Sequence, residues 1–320
     1  MPRCGPEQPW ALVLAGGDGK RLQELTREIA GAPMPKQYCR LLGEQSLLEA
    51  TLARTRYFTR PDRTVVVVNR NHLDMARAQL GTLPSANTLV QPGNRDTGPG
   101  LLFGLLSLAR SHPTATVAVF PSDHYVDDDR MFIRHVERSA QIVARHPDKI
   151  ALLGIQPDRP EPGFGYVVPG QPLCPCLEVT GASHVAGFWE KPNADTAREL
   201  LAQKALWNSF VMVFQLHFML ELLQRLVPWE LERMRDVHGD PEALWRRYAS
   251  LIPWNFSTEV LARIPEHLVV LRVDDVHWSD WGTRESIEWT LKTLQRVPPW
   301  LGAKRAPTAV EEEQRPRAVA

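Results

Sequence analysis

Four short runs of almost unbroken apolar residues, each followed by a longer amphipathic stretch, limit what this chain can fold into more than any other feature. "WALVLAGG" (10–17), "TVVVVN" (64–69), "TLVQP" (88–92) and "TVAVFPSD" (116–123) have strand length and are rich in β-branched residues. They lack the alternating polar positions of a strand with one wet face. Strands covered on both faces read this way. Between them, residues 46–58, 71–80, 97–111 and 128–145 carry apolar side chains near helical spacing. The resulting βαβαβαβ order predicts an α/β fold, a mainly parallel sheet with right-handed crossovers flanked by helices.

After "KIALLGI" (149–155) the character changes. Prolines and glycines crowd 157–175, then shorter strands and helices run to about Trp300. This half is expected to wrap onto the same sheet, so that residues 1–300 form one domain. Residues 301–320 hold charge, Pro and Ala with little to bury, and a flexible tail is expected there.

Lys plus Arg and Asp plus Glu both total 37. Without a net basic field, neither a nucleic-acid backbone nor an anionic membrane is an expected partner, and a small ligand is. No basic leader precedes an apolar stretch, and the roughly 18 unbroken apolar residues of a membrane span occur nowhere, so a cytoplasmic location is expected. Four scattered cysteines suit a reducing compartment. Cys174-Pro175-Cys176 has one intervening residue and no second Cys/His pair, which favours an ordinary loop over a zinc or redox site.

In a parallel α/β sheet, ligands sit beyond the carboxyl ends of the strands. Leu14 ends the first apolar run, and Gly16, Gly17 and Gly19 follow it. Lacking Cβ atoms, they could turn several N–H groups toward an anion, or they could form a plain tight turn. A P-loop would need Lys then Ser/Thr after Gly19, where Lys20 and Arg21 stand, and a dinucleotide fingerprint would need glycine at the position of Leu22. What remains is G-G-x-G-x-R-L with a trailing P-K at Pro35-Lys36.

"LAGGDGKRL" with "PKQY" resembles the signature of sugar-1-phosphate nucleotidyltransferases. "PGNRDTGP", "PSDHYV", "PGFGYV", "GFWEKP", "LWNSFVMVF" and "WSDWGTRESI" follow in the order of the mannose-1-phosphate guanylyltransferase (GDP-mannose pyrophosphorylase) branch, so the resemblance covers roughly residues 10–295. It implies a Rossmann-like, glycosyltransferase-A-like fold. It also implies GTP and mannose 1-phosphate as substrates, GDP-mannose and pyrophosphate as products, and Mg²⁺ or Mn²⁺ as cofactor; it admits a homodimer.

Residue by residue, the resemblance puts Leu14, Gly16, Gly17, Gly19, Arg21, Asp96, Thr97 and Asp123 at the nucleotide. Arg21 and Lys36 become the cations that stabilise charge on the triphosphate, against the plainer possibility of a solvated surface pair. Lys191 would meet the sugar phosphate, while Glu190, Asn208 and the Gly165 backbone would meet sugar hydroxyls. Asp123 and Asp280 would hold the metal, since Mg²⁺ usually takes one or two carboxylates plus phosphate oxygens. Asp280 could alternatively cap the helix that follows it. A phosphomonoester with a second pKa of about 6 is already an anionic nucleophile, so the lack of a Ser/His/Asp or Cys/His arrangement is no obstacle.

The chain departs from the family pattern at three places. Arg95-Asp96-Thr97-Gly98-Pro99 replaces R-N-T-A-P, Phe210 stands where glycine usually follows "WNS", and Gln23-Glu24 follows R-L in place of proline or tryptophan. Asp96 keeps a good helix N-cap but adds charge near the nucleotide. The branch often carries a C-terminal β-helix or isomerase domain for which this chain ends too soon, so a catalytic domain of single activity is expected. The alternatives left open are another hexose or heptose 1-phosphate, another nucleoside triphosphate, or a catalytically silent regulatory homologue.

Overall fold

The computed structural model describes residues 8–173, 181–235, 240–298 and 300. The expected tail and the Cys174-Pro175-Cys176 segment lie outside them. The four apolar runs become β1 (Trp10–Ala15), β2 (Thr64–Asn69), β3 (Thr88–Gln91) and β4 (Thr116–Pro121), parallel neighbours in the order β3-β2-β1-β4. Helices α1 (Gln23–Ala30), α2 (Leu47–Thr55), α3 (Leu73–Arg77) and α4 (Thr97–Ala109) connect them. Next come β5 (Tyr125–Val126), α5 (Asp129–Arg145) and β6 (Ile150–Ile155).

Leu12 and Val13 show why β1 reads apolar throughout: both are fully buried, on opposite faces, in two separate cores. Each such burial stabilises by about 1.5–3 kcal/mol. Helix starts follow local chemistry. Ser46 caps α2 through a reciprocal bond pair with Glu49, and Asp128 accepts from Met131 N–H at the start of α5.

The second half supplies β7 (Gly165–Pro172), β8 (Ala182–Glu190), α6 (Ala194–Ala202), β9 (Leu206–Gln215), α7 (Leu216–Leu226), α8 (Pro228–Arg235), α9 (Pro241–Ala249), α10 (Phe256–Glu259), β10 (Leu268–Val273), β11 (Trp278–Ser279) and α11 (Arg284–Thr293). Among the described residues these strands extend the sheet to nine, in the order β3-β2-β1-β4-β9-β6-β10-β8-β7. Only β8 and β9 run against the rest, so the sheet is mixed and mainly parallel.

Strand β9 pairs with β4 over its last residues and with β7 at Leu206 and Trp207. Strand β7 therefore continues the sheet beyond the end of β4, and β9, β6, β10, β8 and β7 close into a ring. That closure brings the start of β7 and the end of β8 over the carboxyl ends of β1 and β4. No helix among the described residues is long and apolar enough to cross a membrane.

Candidate active site

A cavity of about 590 Å³ opens where these ends meet, within the range of small-molecule sites. Every residue assigned above to nucleotide, sugar phosphate or metal lines it, except Gly19. Gly19 borders the smaller cavity alongside, with Arg21 and Lys36. Its φ is 59°, and a Cβ there would stand 2.8 Å from Pro35 Cα, so only glycine lets the opening loop pass the "PMPK" segment.

The "PKQY" residues hold that loop from behind. Gln37 Nε2 donates to Gly17 O at 2.7 Å, and Tyr38 Oη donates to Ala15 O at 2.8 Å. With these carbonyls engaged, the loop keeps its shape and can present N–H groups to an anion. Below it lies buried Gln91, which sequence reasoning missed. A Cβ on Gly16 would lie 2.4 Å from Gln91 Nε2, one on Gly100 would lie 2.8 Å from Gln91 Oε1, and Tyr248 Oη donates to that oxygen at 3.1 Å. A glutamine inside an apolar strand gives no local hint of such a role.

Asp123 and Asp280 are joined by a small structural unit. Strands β5 and β11 pair antiparallel, Ser279 opposite Tyr125, which brings the residue after β11 beside the residues before β5. Tyr125 and Trp281 stack with ring centroids 4.6 Å apart and an interplanar angle of 7°. Lys36 Nζ then ties the two loops together: it lies 3.2 Å from Asp123 Oδ2, donates to Trp281 O at 3.1 Å and donates to Asp280 O. Lys36 is 6% exposed, yet it lines the cavity together with both aspartates.

Burial alone would raise the Asp123 carboxyl, but the Lys36 ammonium and His124 hold it below the usual carboxylate range. Burial lowers His124 in spite of Asp123 beside it. The downward shift at Asp123 favours the ionised form, which a metal-binding carboxylate needs. Asp280 does not cap α11: Thr283 does, in a reciprocal pair with Ser286. The Asp280 carboxylate instead accepts from Gly282 N–H at 2.8 Å and lines the cavity. Among the described residues no cluster of three or more His, Cys, Asp or Glu could cage a metal. Two carboxylates facing one cavity fit a hard cation that takes its remaining ligands from phosphate oxygens and water.

Arg21 reaches the same place. A Cβ on Gly282 would lie 2.7 Å from Asp280 Oδ2 and 3.1 Å from Arg21 Nη2, so carboxylate and guanidinium both rest against the bare Gly282 backbone.

Across the cavity, Gly165 at the start of β7 pairs with Glu190 at the end of β8. A Cβ on Gly165 would lie 2.8 Å from Glu190 Oε2 and 3.4 Å from Asn208 Cβ. Lys191 Nζ is 3.7 Å from Glu190 Oε1 and its side chain is 59% exposed, against 18% for Glu190. An exposed cation thus stands beside a largely buried carboxylate. Burial raises the Glu190 carboxyl, partly offset by Lys191 and by a hydrogen bond from Ser257. Glu190 therefore takes up a proton at higher pH than an ordinary glutamate. The KM for a ligand whose hydroxyls bond to this carboxylate is expected to rise as pH falls through that range. Glu190→Gln should remove that part of the dependence, which KM-pH profiles of the two proteins will check.

The third wall is the start of α4. Asp96 Oδ1 accepts from Thr97 N–H at 2.6 Å, which keeps the N-cap role expected for it. The adjoining Pro253-Trp254-Asn255-Phe256-Ser257 segment escaped sequence analysis because its register against α4 is purely tertiary. Gly98 N–H donates to Trp254 O at 3.1 Å, and the Trp254 indole lies over Gly98 so closely that a Cβ would stand 2.2 Å from the ring. Gly98→Ala should therefore destabilise the fold by about 1–3 kcal/mol through overpacking, measurable as a lower urea midpoint. An unchanged midpoint would mean that the indole moves freely.

Trp10 and Trp207 are buried in the two cores, whereas Trp278 lines the cavity. Cys39 is buried, and burial pushes its thiol up to about 11, which makes it unreactive.

Residues 10–295 match the family described as Nucleotidyl transferase. The chain is 36% identical over 221 residues to the xanthan biosynthesis protein XanB of Xanthomonas campestris pv. campestris (strain B100), covering 68% of this chain and 44% of XanB. It is 29% identical over 290 residues to the mannose-1-phosphate guanylyltransferase of Escherichia coli (strain K12), covering 87% of this chain and 59% of that one. The chain thus spans about half the length of these curated relatives. A crystal structure from Thermus thermophilus, described as a mannose-1-phosphate geranyltransferase, superposes with a TM-score of 0.77 at 30% identity, covering 89% of this chain and 79% of that one. A glycine loop with a following arginine, two facing carboxylates and a match running from β1 to α11 lead to one statement: the chain belongs to the nucleotidyl transferase family.

Proposed function

We propose that the protein transfers a guanylyl group from GTP to mannose 1-phosphate, forming GDP-mannose and pyrophosphate, and that residues 1–300 make up one catalytic domain for this reaction. One observation carries the reading: a loop suited to phosphates, with Arg21, shares a single cavity with a separate polar cluster of Gly165, Glu190, Lys191 and Asn208. Two substrates with unlike chemistry need two such subsites. The two relatives named for mannose 1-phosphate support the choice of sugar, and the one named guanylyltransferase supports the choice of base.

In the proposed reaction an oxygen of the sugar phosphate attacks the α-phosphorus of the triphosphate, and the bond to the bridging oxygen of the leaving pyrophosphate breaks. The nucleophile is an anion at neutral pH, so no side chain has to remove a proton. Lys191 steers and neutralises the sugar phosphate. Glu190 and Asn208 fix the sugar by its hydroxyls, the arrangement that makes attack effectively intramolecular. Arg21 stabilises charge as it builds on the phosphates. Lys36 keeps Asp123 ionised and aligned with the Asp280 loop. Asp123 and Asp280 would hold Mg²⁺ or Mn²⁺, which when bound neutralises phosphate charge and orients the triphosphate.

Pyrophosphate release measured with four nucleoside triphosphates against a panel of sugar 1-phosphates tests this reading. The highest kcat/KM is expected for GTP with mannose 1-phosphate. A different best pair would reassign the substrates, and no release with any pair would withdraw the activity.

A further inference from the structure

Strand β9 leaves regular pairing at one point. Against β6 its register runs from Leu152↔Met212 to Gly154↔Asn208, so residues 209–211 face Leu153 alone. Side chains replace the ladder bonds that this bulge loses. Ser209 Oγ donates to Leu153 O at 2.7 Å and accepts from Val211 N–H at 3.2 Å, and Asn208 Oδ1 accepts from Phe210 N–H at 3.1 Å. Phe210, at the apex, has φ 59°, a conformation natural to glycine and rare for a bulky side chain. Bulges beside functional sites commonly re-aim a side chain.

Phe210 lines the cavity alongside Asn208, Glu190 and Ser257. Its ring meets Phe256 edge-on, with centroids 6.1 Å apart, and Phe256 immediately precedes Ser257, the hydrogen-bond partner of Glu190. An apolar ring is thus braced against the fold beside the polar groups of that subsite. Its edge offers no hydrogen bond to a hydroxyl, so what it contributes there is volume. Asp96 and Lys191, which line the same cavity, also have positive φ, at 68° and 48°. Backbone conformations of this kind persist where the surrounding structure over-determines them, and they collect at ligand sites.

We propose that Phe210 sets the upper size of the sugar. Its ring fills the space beside Asn208 and Glu190 into which a substituent larger than a hydroxyl would project, so that plain hexose 1-phosphates are accepted and those carrying an acetamido group or an additional carbon are rejected. The proposal rests on the reading that Glu190, Lys191 and Asn208 receive a sugar 1-phosphate. Selection by such a wall is steric exclusion of the wrong ligand, not added attraction for the right one.

The test compares kcat/KM for mannose 1-phosphate with that for a 2-acetamido hexose 1-phosphate and a heptose 1-phosphate, in the wild type, Phe210→Gly and Phe210→Ala. Glycine suits the backbone and removes the ring; alanine removes the ring and keeps the backbone unfavourable. Both variants should shift the ratio toward at least one larger sugar by on the order of tenfold or more, and Phe210→Gly should retain the wild-type melting temperature or exceed it. If either variant is folded and active on mannose 1-phosphate yet keeps the wild-type ratio, Phe210 is a structural filler and the proposal is overturned. A wild type that releases no pyrophosphate with any sugar 1-phosphate would overturn the underlying reading and this proposal with it. An active wild type with unchanged selectivity in the variants would overturn the Phe210 role alone.

Discussion

Arg21→Ala is expected to lower kcat by about 10²- to 10³-fold while changing the KM for the triphosphate far less. The guanidinium rests against the bare Gly282 backbone beside Asp280, and it lines both the main cavity and the smaller one next to it. An interaction that strengthens only as charge builds on the phosphates acts on turnover. One made equally with the bound substrate would act on KM. Fold stability should change little, because Arg21 is exposed to the cavity. Steady-state kinetics of the folded variant will decide: normal turnover would remove Arg21 from the chemistry.

Asp123→Asn and Asp280→Asn are each expected to lower activity on the order of 10³-fold, since a metal bound to phosphates supplies several kcal/mol of charge stabilisation. Both should recover partly at high Mg²⁺, and the double variant should be little worse than the poorer single one, because groups acting as a unit are non-additive. Their stabilities should differ. Asp123→Asn also removes the carboxylate 3.2 Å from buried Lys36, whereas Asn at 280 can still accept from Gly282 N–H. A lower melting temperature is therefore expected for Asp123→Asn than for Asp280→Asn. Full activity of Asp280→Asn at low Mg²⁺ would take Asp280 out of the metal site.

How much of this could be read from the residues alone differs sharply between the two halves of the chain. β2 spans the same residues, Thr64–Asn69, that its apolar run delimits, because burial on both faces leaves no ambiguity in a run of valines. β9 is different. Its antiparallel place between β4 and β6, and its second pairing with β7, are set by contacts far apart in sequence. Nothing within Leu206–Gln215 announces them. Spacing left the opening glycines open to a plain turn and Arg21 to a solvated surface position, and resemblance placed both at the site; Asp280 too came only through resemblance, since locally it could have been a helix cap until Thr283 is seen in that position. Lys36 was legible as a cation of the site but not as the tie between Asp123 and the Asp280 loop. Gln91 and Trp254 were not legible at all. Each acts on a glycine of α4 or the opening loop through close packing, and such contact leaves no periodic trace.

The proposed reaction is a single transfer, and isotope placement tests it most directly. The protein is incubated with Mg²⁺, mannose 1-phosphate and GTP labelled at either the α- or the γ-phosphorus. The α-label should appear in GDP-mannose and the γ-label in pyrophosphate, in equal amounts and only when the sugar phosphate is present. Label released as orthophosphate, or released equally without the sugar phosphate, would contradict it.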